Sequence, residues 1–332
     1  MQTVTRNQMV ERATALLADG TVKYVLGWQR GEYDYDVTPA VFETEEELRE
    51  NFVWNDFCGA NFSKYLVEKT RRLEGRILAF LKPCDTYSFN QLLTEHRFDR
   101  SCVYVIGVSC RGMADISRVK AAAGEGIASI EPTEKGLRVN THYGDEPEEL
   151  PAEAVLAERC LSCKSRRHVA YDELLGEEEE TPESRRFDRV EELERMTPDE
   201  RFAFWQGELS RCIRCNACRD VCPACTCEKC VFDNPSSGAE NKSPANSFEE
   251  QMFHIIRAFH VAGRCTDCGE CSRVCPQHIP LHLLNRKFIR DINGLYGEYQ
   301  AGAEVGSRSP LVDYTQGDPE PAEALERGSH NA

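Results

Sequence analysis

The chain has 332 residues, 41% apolar and 29% charged, with a formal charge of −16. That length allows two domains with separate cores, and the acidic balance excludes the basic face that a nucleic-acid partner requires. No apolar run approaches the roughly 18 residues of a membrane span. The opening Met1-Gln2-Thr3-Val4-Thr5-Arg6 lacks the apolar centre of a signal peptide, so a cytoplasmic location is expected.

In chain order, a helix is expected over 4–19, then a strand at Val22-Lys23-Tyr24-Val25-Leu26. A helix over 60–73 leads to the strand Arg76-Ile77-Leu78-Ala79-Phe80-Leu81, and a turn at Lys82-Pro83-Cys84-Asp85 opens a helix through Leu93. The strand from Cys102 to Val108 ends at Ser109-Cys110-Arg111-Gly112. A helix over 114–123 and a strand near Leu137-Arg138-Val139 follow. This alternation predicts an α/β N-terminal domain over 1–175 with a largely parallel sheet. Cys84 and Cys110 each sit just past a strand, where open sheets place their ligands.

Residues 176–200, including Glu177-Glu178-Glu179-Glu180, read as a charged, solvated connector. Residues 201–296 read as a mainly helical domain, with a loop from Asn234 to Pro244 and a helix from Phe248 to Val261. Residues 297–332, rich in Gly, Glu and Pro, read as a tail that is disordered or ordered only against a partner.

The 17 cysteines dominate the chemistry. An odd count without an export signal argues against a disulfide framework. Two runs repeat one spacing, Cys212-x-x-Cys215-x-x-Cys218-x-x-x-Cys222-Pro223 and Cys265-x-x-Cys268-x-x-Cys271-x-x-x-Cys275-Pro276. Three thiolates at two-residue intervals wrap one corner of a 4Fe–4S cubane, while the fourth ligates the other cluster. The first cluster is therefore assigned to Cys212, Cys215, Cys218 and Cys275, and the second to Cys265, Cys268, Cys271 and Cys222. Zinc also binds C-x-x-C pairs, but the doubled run with a proline after each fourth cysteine has no zinc rationale. The 42 residues between Cys222 and Cys265 favour a helical dicluster ferredoxin-like domain over a compact hairpin one.

Cys84, Cys110, Cys160 and Cys163 form the next coherent set. By spacing alone they are either a cage for a third cluster or ordinary buried thiols. Cys58, expected just before a helix, is either a fifth thiol near that set or a redox thiol activated by the helix N-terminus. Cys102 reads as core. Cys225, Cys227 and Cys230 crowd the first run as an alternative ligand, a tuning contact or passive groups, and His254 and His260 read as core or surface histidines or as groups ligating or tuning a cluster.

Lys82-Pro83-Cys84-Asp85, Gly107-Val108-Ser109-Cys110 and Cys160-x-x-Cys163 resemble the pattern of β-subunits of deazaflavin-reducing hydrogenases and formate dehydrogenases. The extension Cys222-Pro223-Ala224-Cys225-Thr226-Cys227 is similar to that in β-subunits of archaeal sulfhydrogenases and anaerobic sulfite reductases. The likeness spans residues 20 to 285 and implies that Cys84, Cys110, Cys160 and Cys163 bind an additional 4Fe–4S cluster. Flavin-carrying members have an Ala-Asp-Ile stretch after the C-x-x-C pair, ending in a glycine. This chain has Ser165-Arg166-Arg167-His168 through Gly176 instead, which leaves FAD or FMN open.

There is no phosphate-cradling G-x-x-x-x-G-K-[ST] loop, no G-x-G-x-x-G after a strand and no H-E-x-x-H. One-electron cofactors without a visible reaction site predict a relay subunit of an anaerobic oxidoreductase, of the hydrogenase, formate dehydrogenase or heterodisulfide-reductase-like kind. Its partners would be the other subunits of a redox complex and a soluble carrier, docked through the acidic surface. Two alternatives stand beside it: a flavin-bearing catalytic subunit exchanging a hydride with deazaflavin or NAD(P)H, and a cluster-based sensor or assembly protein.

Overall fold

The computed structural model describes residues 3–181, 185–234, 236, 247–313 and 315–318. The chain divides into two units, Met1–Arg186 and Phe187–Ala332. The expected loop from Asn234 to Pro244 lies almost wholly outside the described residues.

The first unit is built on a five-stranded sheet. Its strands are β1 (Tyr24–Arg30), β2 (Val37–Phe42), β3 (Ile77–Leu81) and β4 (Val103–Val108), with β8 (Glu173–Leu175) as the last. Their spatial order is β2-β1-β3-β4-β8. The four strands other than β2 run parallel, and β2 pairs antiparallel with β1 at the edge. Every residue of β3 is fully buried, as expected of a central strand covered on both faces. Each large apolar side chain in it contributes about 1.5–3 kcal/mol through removal from water. Helices α1 (Arg6–Ala18), α2 (Glu45–Asn51), α3 (Ser63–Arg72) and α4 (Pro83–Thr94) belong to this layer.

Between β4 and β8 the chain makes an excursion that adds a second, unexpected sheet to the expected largely parallel one. Helix α5 (Ile116–Ala123) is followed by a separate antiparallel sheet of β5 (Ile127–Pro132), β6 (Gly136–Thr141) and β7 (Glu148–Pro151). Its small core contains Val119, Ile127, Leu137, Val139 and Val155. Two short helices, α6 (Ala152–Val155) and α7 (Glu158–Leu161), bring the chain back toward β4. There Ala114 bridges to Leu156, and the Ala157 N–H donates to the Met113 carbonyl at 2.9 Å.

In the second unit, all regular structure among the described residues is helical: α8 (Asp188–Arg195), α9 (Pro198–Leu209), α10 (Ala217–Asp220), α11 (Ser247–Val261), α12 (Glu270–Arg273) and α13 (Leu281–Tyr296), with one 3-10 turn. Thr197 caps α9 reciprocally with Glu200, and Pro198 occupies its first position, the arrangement that satisfies orphan amide donors at a helix start. The expected connector over 176–200 is corrected here. Val190 and Leu193 of α8 pack with Leu283 of α13, so the second unit begins at Phe187. The expected disordered tail is corrected over its described part as well. Ala301 and Ser309 are buried, and the Tyr299 hydroxyl donates to the Gly263 carbonyl at 3.0 Å. The remainder, from 319 on, lies outside the described residues.

Candidate iron–sulfur centres

Each cysteine run folds as a loop followed by one helical turn. In the first, Arg214 and Asn216 adopt left-handed backbone (φ 53° and 63°), and in the second Asp267 and Gly269 do the same (φ 56° and 69°). These are matching positions, two and four residues after the leading cysteine. Left-handed backbone at a non-glycine residue is costly, on the order of 1–3 kcal/mol, and its repetition points to a constraint common to both loops. The amide two residues on faces the leading thiol in each: Arg214 N–H donates to Cys212 Sγ at 3.4 Å, and the Asp267 N–H bonds to Cys265.

The fourth cysteine of each run faces the other loop. Cys222 lies within the electrostatic reach of Cys265, Cys268 and Cys271, and Cys275 within that of Cys218. Burial pushes the Cys218 thiol up to about 12, with the Arg257 charge opposing and Cys271, Cys212 and Cys275 adding to the rise. Burial also lifts Cys265 well above the usual thiol range, with Asp267 and Cys222 adding. It pushes Cys268 up to about 12, with Glu270 adding. The thiols of Cys218 and Cys271 belong to the core that also contains Leu209, Phe232, Phe253 and Ile279. Cys215 is exposed.

A second convergence occurs in the α/β unit. Leu81 and Gly107 are in register at the ends of β3 and β4, so Cys84, in the first turn of α4, and Cys110 leave the same edge. The excursion through β5–β7 returns Cys160 and Cys163 to that edge. Burial drives Cys84 well above the usual thiol range, with Asp85 and Cys110 adding and Lys82 and Arg159 opposing. Burial pushes Cys110 up to about 12, with Cys160 and Cys163 among the groups that raise it. The Met113 N–H donates to Cys160 Sγ at 3.4 Å. Gly112, at φ +121°, sits where a Cβ would meet Leu156 at 2.8 Å and the Cys160 Cβ at 3.3 Å, so only glycine lets these segments approach so closely.

Lys82 locks the turn that presents Cys84. It is 1% exposed, pairs with Asp85 Oδ2 at 2.8 Å, donates to the Ala60 carbonyl at 2.8 Å and lies over the Trp28 ring. Burial works against its charge, but Asp85, Cys84 and Cys110 outweigh that and hold it above the ordinary lysine range.

Cys58 departs from expectation. The helix after it begins only at Ser63, and burial pushes the thiol up to about 12, the opposite of an activated redox thiol. Its sulfur accepts from the Asn55 N–H at 3.3 Å and donates to the Val53 carbonyl at 3.7 Å. Lys82 and Asp56 are the charges it feels, and Lys82 is also felt by Cys84 and Cys110. Cys102 packs at the margin of the core, Cys227 is exposed, and Cys230 packs against the core of the helical unit.

Buried cations and one histidine complete the dicluster region. His254 Nε2 lies 3.3 Å from Cys212 Sγ. Burial, with Arg257 and Arg214 adding, lowers the histidine to about 3, so the ring is neutral at pH 7. His260, one turn and a half along α11, is exposed. Arg257 was not legible as a site residue, although a signal exists: Phe253, Arg257 and Val261 form one buried stripe at helical spacing, and an arginine in such a stripe needs an anionic partner.

Among the described residues, no three His, Cys, Asp or Glu side chains are drawn tightly enough to grip a single ion. The cysteine sets are defined instead by the convergence of buried and half-buried thiols, with Cys215 exposed. Bare thiols with such raised pKa values stay protonated at pH 7, whereas a polynuclear iron core displaces those protons and takes the thiolates. Converging buried thiols, amide donors and buried cations fit that group.

Residues 208–279 match the model of the 4Fe-4S dicluster domain. The chain is similar to the F420-dependent formate dehydrogenase subunit beta of Methanocaldococcus jannaschii, 26% identical over 84% of this chain and 88% of that one. It is also similar to the F420-dependent formate dehydrogenase 1 subunit beta of Methanococcus maripaludis, at 23% identity over 74% of this chain and 78% of the relative. Among solved structures, a chain of the xenon-derivatised F420-reducing nickel–iron hydrogenase complex of Methanosarcina barkeri aligns with 14% identity. That alignment has a TM-score of 0.36 and covers 51% of this chain and 64% of the other.

Proposed function

We propose that this relative of the formate dehydrogenase β-subunits is the electron-transfer subunit of a multi-subunit oxidoreductase, relaying single electrons between a catalytic partner and a second carrier. One observation carries the reading: two loops with the same backbone each face the fourth cysteine of the other run, as shared coordination of two cubanes requires. On this reading Cys212, Cys215, Cys218 and Cys275 hold the first 4Fe–4S cluster, and Cys265, Cys268, Cys271 and Cys222 hold the second. Cys84, Cys110, Cys160 and Cys163 hold a third in the α/β unit. Such clusters accept and release one electron at a time. The residues around them do the remaining work: burial excludes water, amide N–H groups stabilise sulfur charge, and Lys82 and Arg257 offset the thiolates.

Among the described residues no helix is long and apolar enough to cross a membrane. The relatives' F420 dependence supports a second reading, in which the α/β unit also holds FAD or FMN and exchanges a hydride with a deazaflavin or NAD(P)H.

Oxygen-free purification tests both. The relay reading expects about 12 iron and 12 sulfide per chain, and a paramagnetic signal after dithionite. A count near eight removes the third cluster alone, and colourless, iron-free protein overturns the reading. Flavin released into the supernatant on denaturation would establish the hydride-exchanging alternative.

A further inference from the structure

Arg257 is 4% exposed on α11. Its Nη2 donates to the Cys218 carbonyl at 2.9 Å, its side chain bonds to Cys271, and its Nε has no hydrogen-bond partner among the described residues. No carboxylate forms an ion pair with it among the described residues. A buried cation without an anion is strongly disfavoured, yet this one stands between the two runs. It contacts Cys218 of the first and Cys271 of the second, and also faces Cys222 and Cys225.

We propose that Arg257 is a positioning charge shared by both dicluster centres, one buried guanidinium whose field raises the reduction potential of the two together. The inference rests on the cluster reading. Each reduction by a low-potential one-electron donor adds one negative charge to one centre; no bond forms or breaks and no proton moves. A fixed cation beside both centres favours the reduced form of each. The effect is strong because the site is buried, where salt and water screen little.

The test is a potentiometric titration, with dithionite as reductant, of the full chain prepared without oxygen and followed by paramagnetic resonance. Arg257→Met removes the charge at similar length. Both midpoint potentials are expected to fall by at least a factor of about ten in the reduction equilibrium, or about 59 mV for a one-electron couple. Arg257→Lys keeps the charge and should shift both less. A full iron complement with one potential moved, or neither, overturns the shared role and leaves the cluster reading intact. If the methionine variant sheds iron, Arg257→Lys decides: two potentials close to the wild type support the proposal, and a fall at one centre alone overturns it. Wild-type protein without iron would instead sink the cluster reading itself.

Discussion

The two cysteine loops share their spacing, their left-handed positions and the short helix that follows, but the charged groups beside them differ: a half-buried arginine and a neutral histidine by the first, arginine-paired acids by the second. Beside the first loop stand Arg214, whose guanidinium lies over the Phe253 ring at 4.3 Å, and the neutral His254. Beside the second stand two buried acids. Asp267 pairs with Arg286 at 2.8 Å with both side chains 2% exposed or less, and Glu270, 1% exposed, accepts two hydrogen bonds from Arg273. On the cluster reading, chelation dictates the backbone, because three thiols must converge, and the residue at the second position after the leading cysteine is free to be Arg214 or Asp267. One chelating frame could then be set to two potentials. The centre on the second loop should be the harder to reduce, since carboxylates beside a site disfavour added negative charge. A titration resolving two midpoints, with the lower belonging to the Cys265 loop, would sharpen the comparison; the reverse order would break it.

The largest effect should come from removing the ligand that each run lends to the other. Cys222→Ala is expected to remove about four iron per chain and abolish the signal of the second loop's centre, and Cys275→Ala should do the same to the first. If Cys222→Ala disturbs only the centre of its own run, the crossed assignment fails.

The two cysteine runs were legible because their spacing is one-dimensional, and so were β3 and β4, which are continuous apolar runs. The β5–β7 sheet was mostly hidden. Its strands are half exposed and mix Ser129, Glu131 and Arg138 with their apolar residues, so only the stretch near Val139 stood out. Helix α8 was masked by its charges, since Val190 and Leu193 alone mark its buried face. Residues 297–318 looked like a tail because small groups such as Ala301 and Ser309 anchor them, and no hydropathy pattern reveals that. Arg257 and His254 carry information that depends on which thiols they face, and that is a property of the fold.

A smaller effect is expected from the buried pair of the second loop. Arg286→Met takes away the guanidinium opposite a buried carboxylate and should destabilise the folded chain by about 3–5 kcal/mol. The double variant Asp267→Asn with Arg286→Met should recover part of that loss, because it removes the charge as well as its partner. Denaturant unfolding under oxygen-free conditions measures both. Arg214 is only half-buried, unlike Arg286, so Arg214→Met should cost clearly less; equal losses would mean that the two loops are not secured differently.

The smallest effect concerns the contact peculiar to the first loop. His254 Nε2 faces Cys212 Sγ at 3.3 Å, while its Nδ1 has no hydrogen-bond partner among the described residues. A neutral ring carries one proton, and placing it on Nε2 makes a donor to sulfur and leaves Nδ1 as a bare acceptor, the less costly group to leave unpaired. His254→Phe keeps the ring volume and removes the donor. The first loop's centre should then become harder to reduce by less than a factor of about ten, under 59 mV for one electron, with the second loop's midpoint unmoved. The sign with pH is also set. Burial has lowered the histidine to about 3, so it gains no proton between pH 8 and 6. The wild-type midpoint should therefore show no step in that window that His254→Phe abolishes. A step that vanishes in the variant would mean that the ring is charged when the centre is reduced, and the hydrogen-bond account of the first loop would fail.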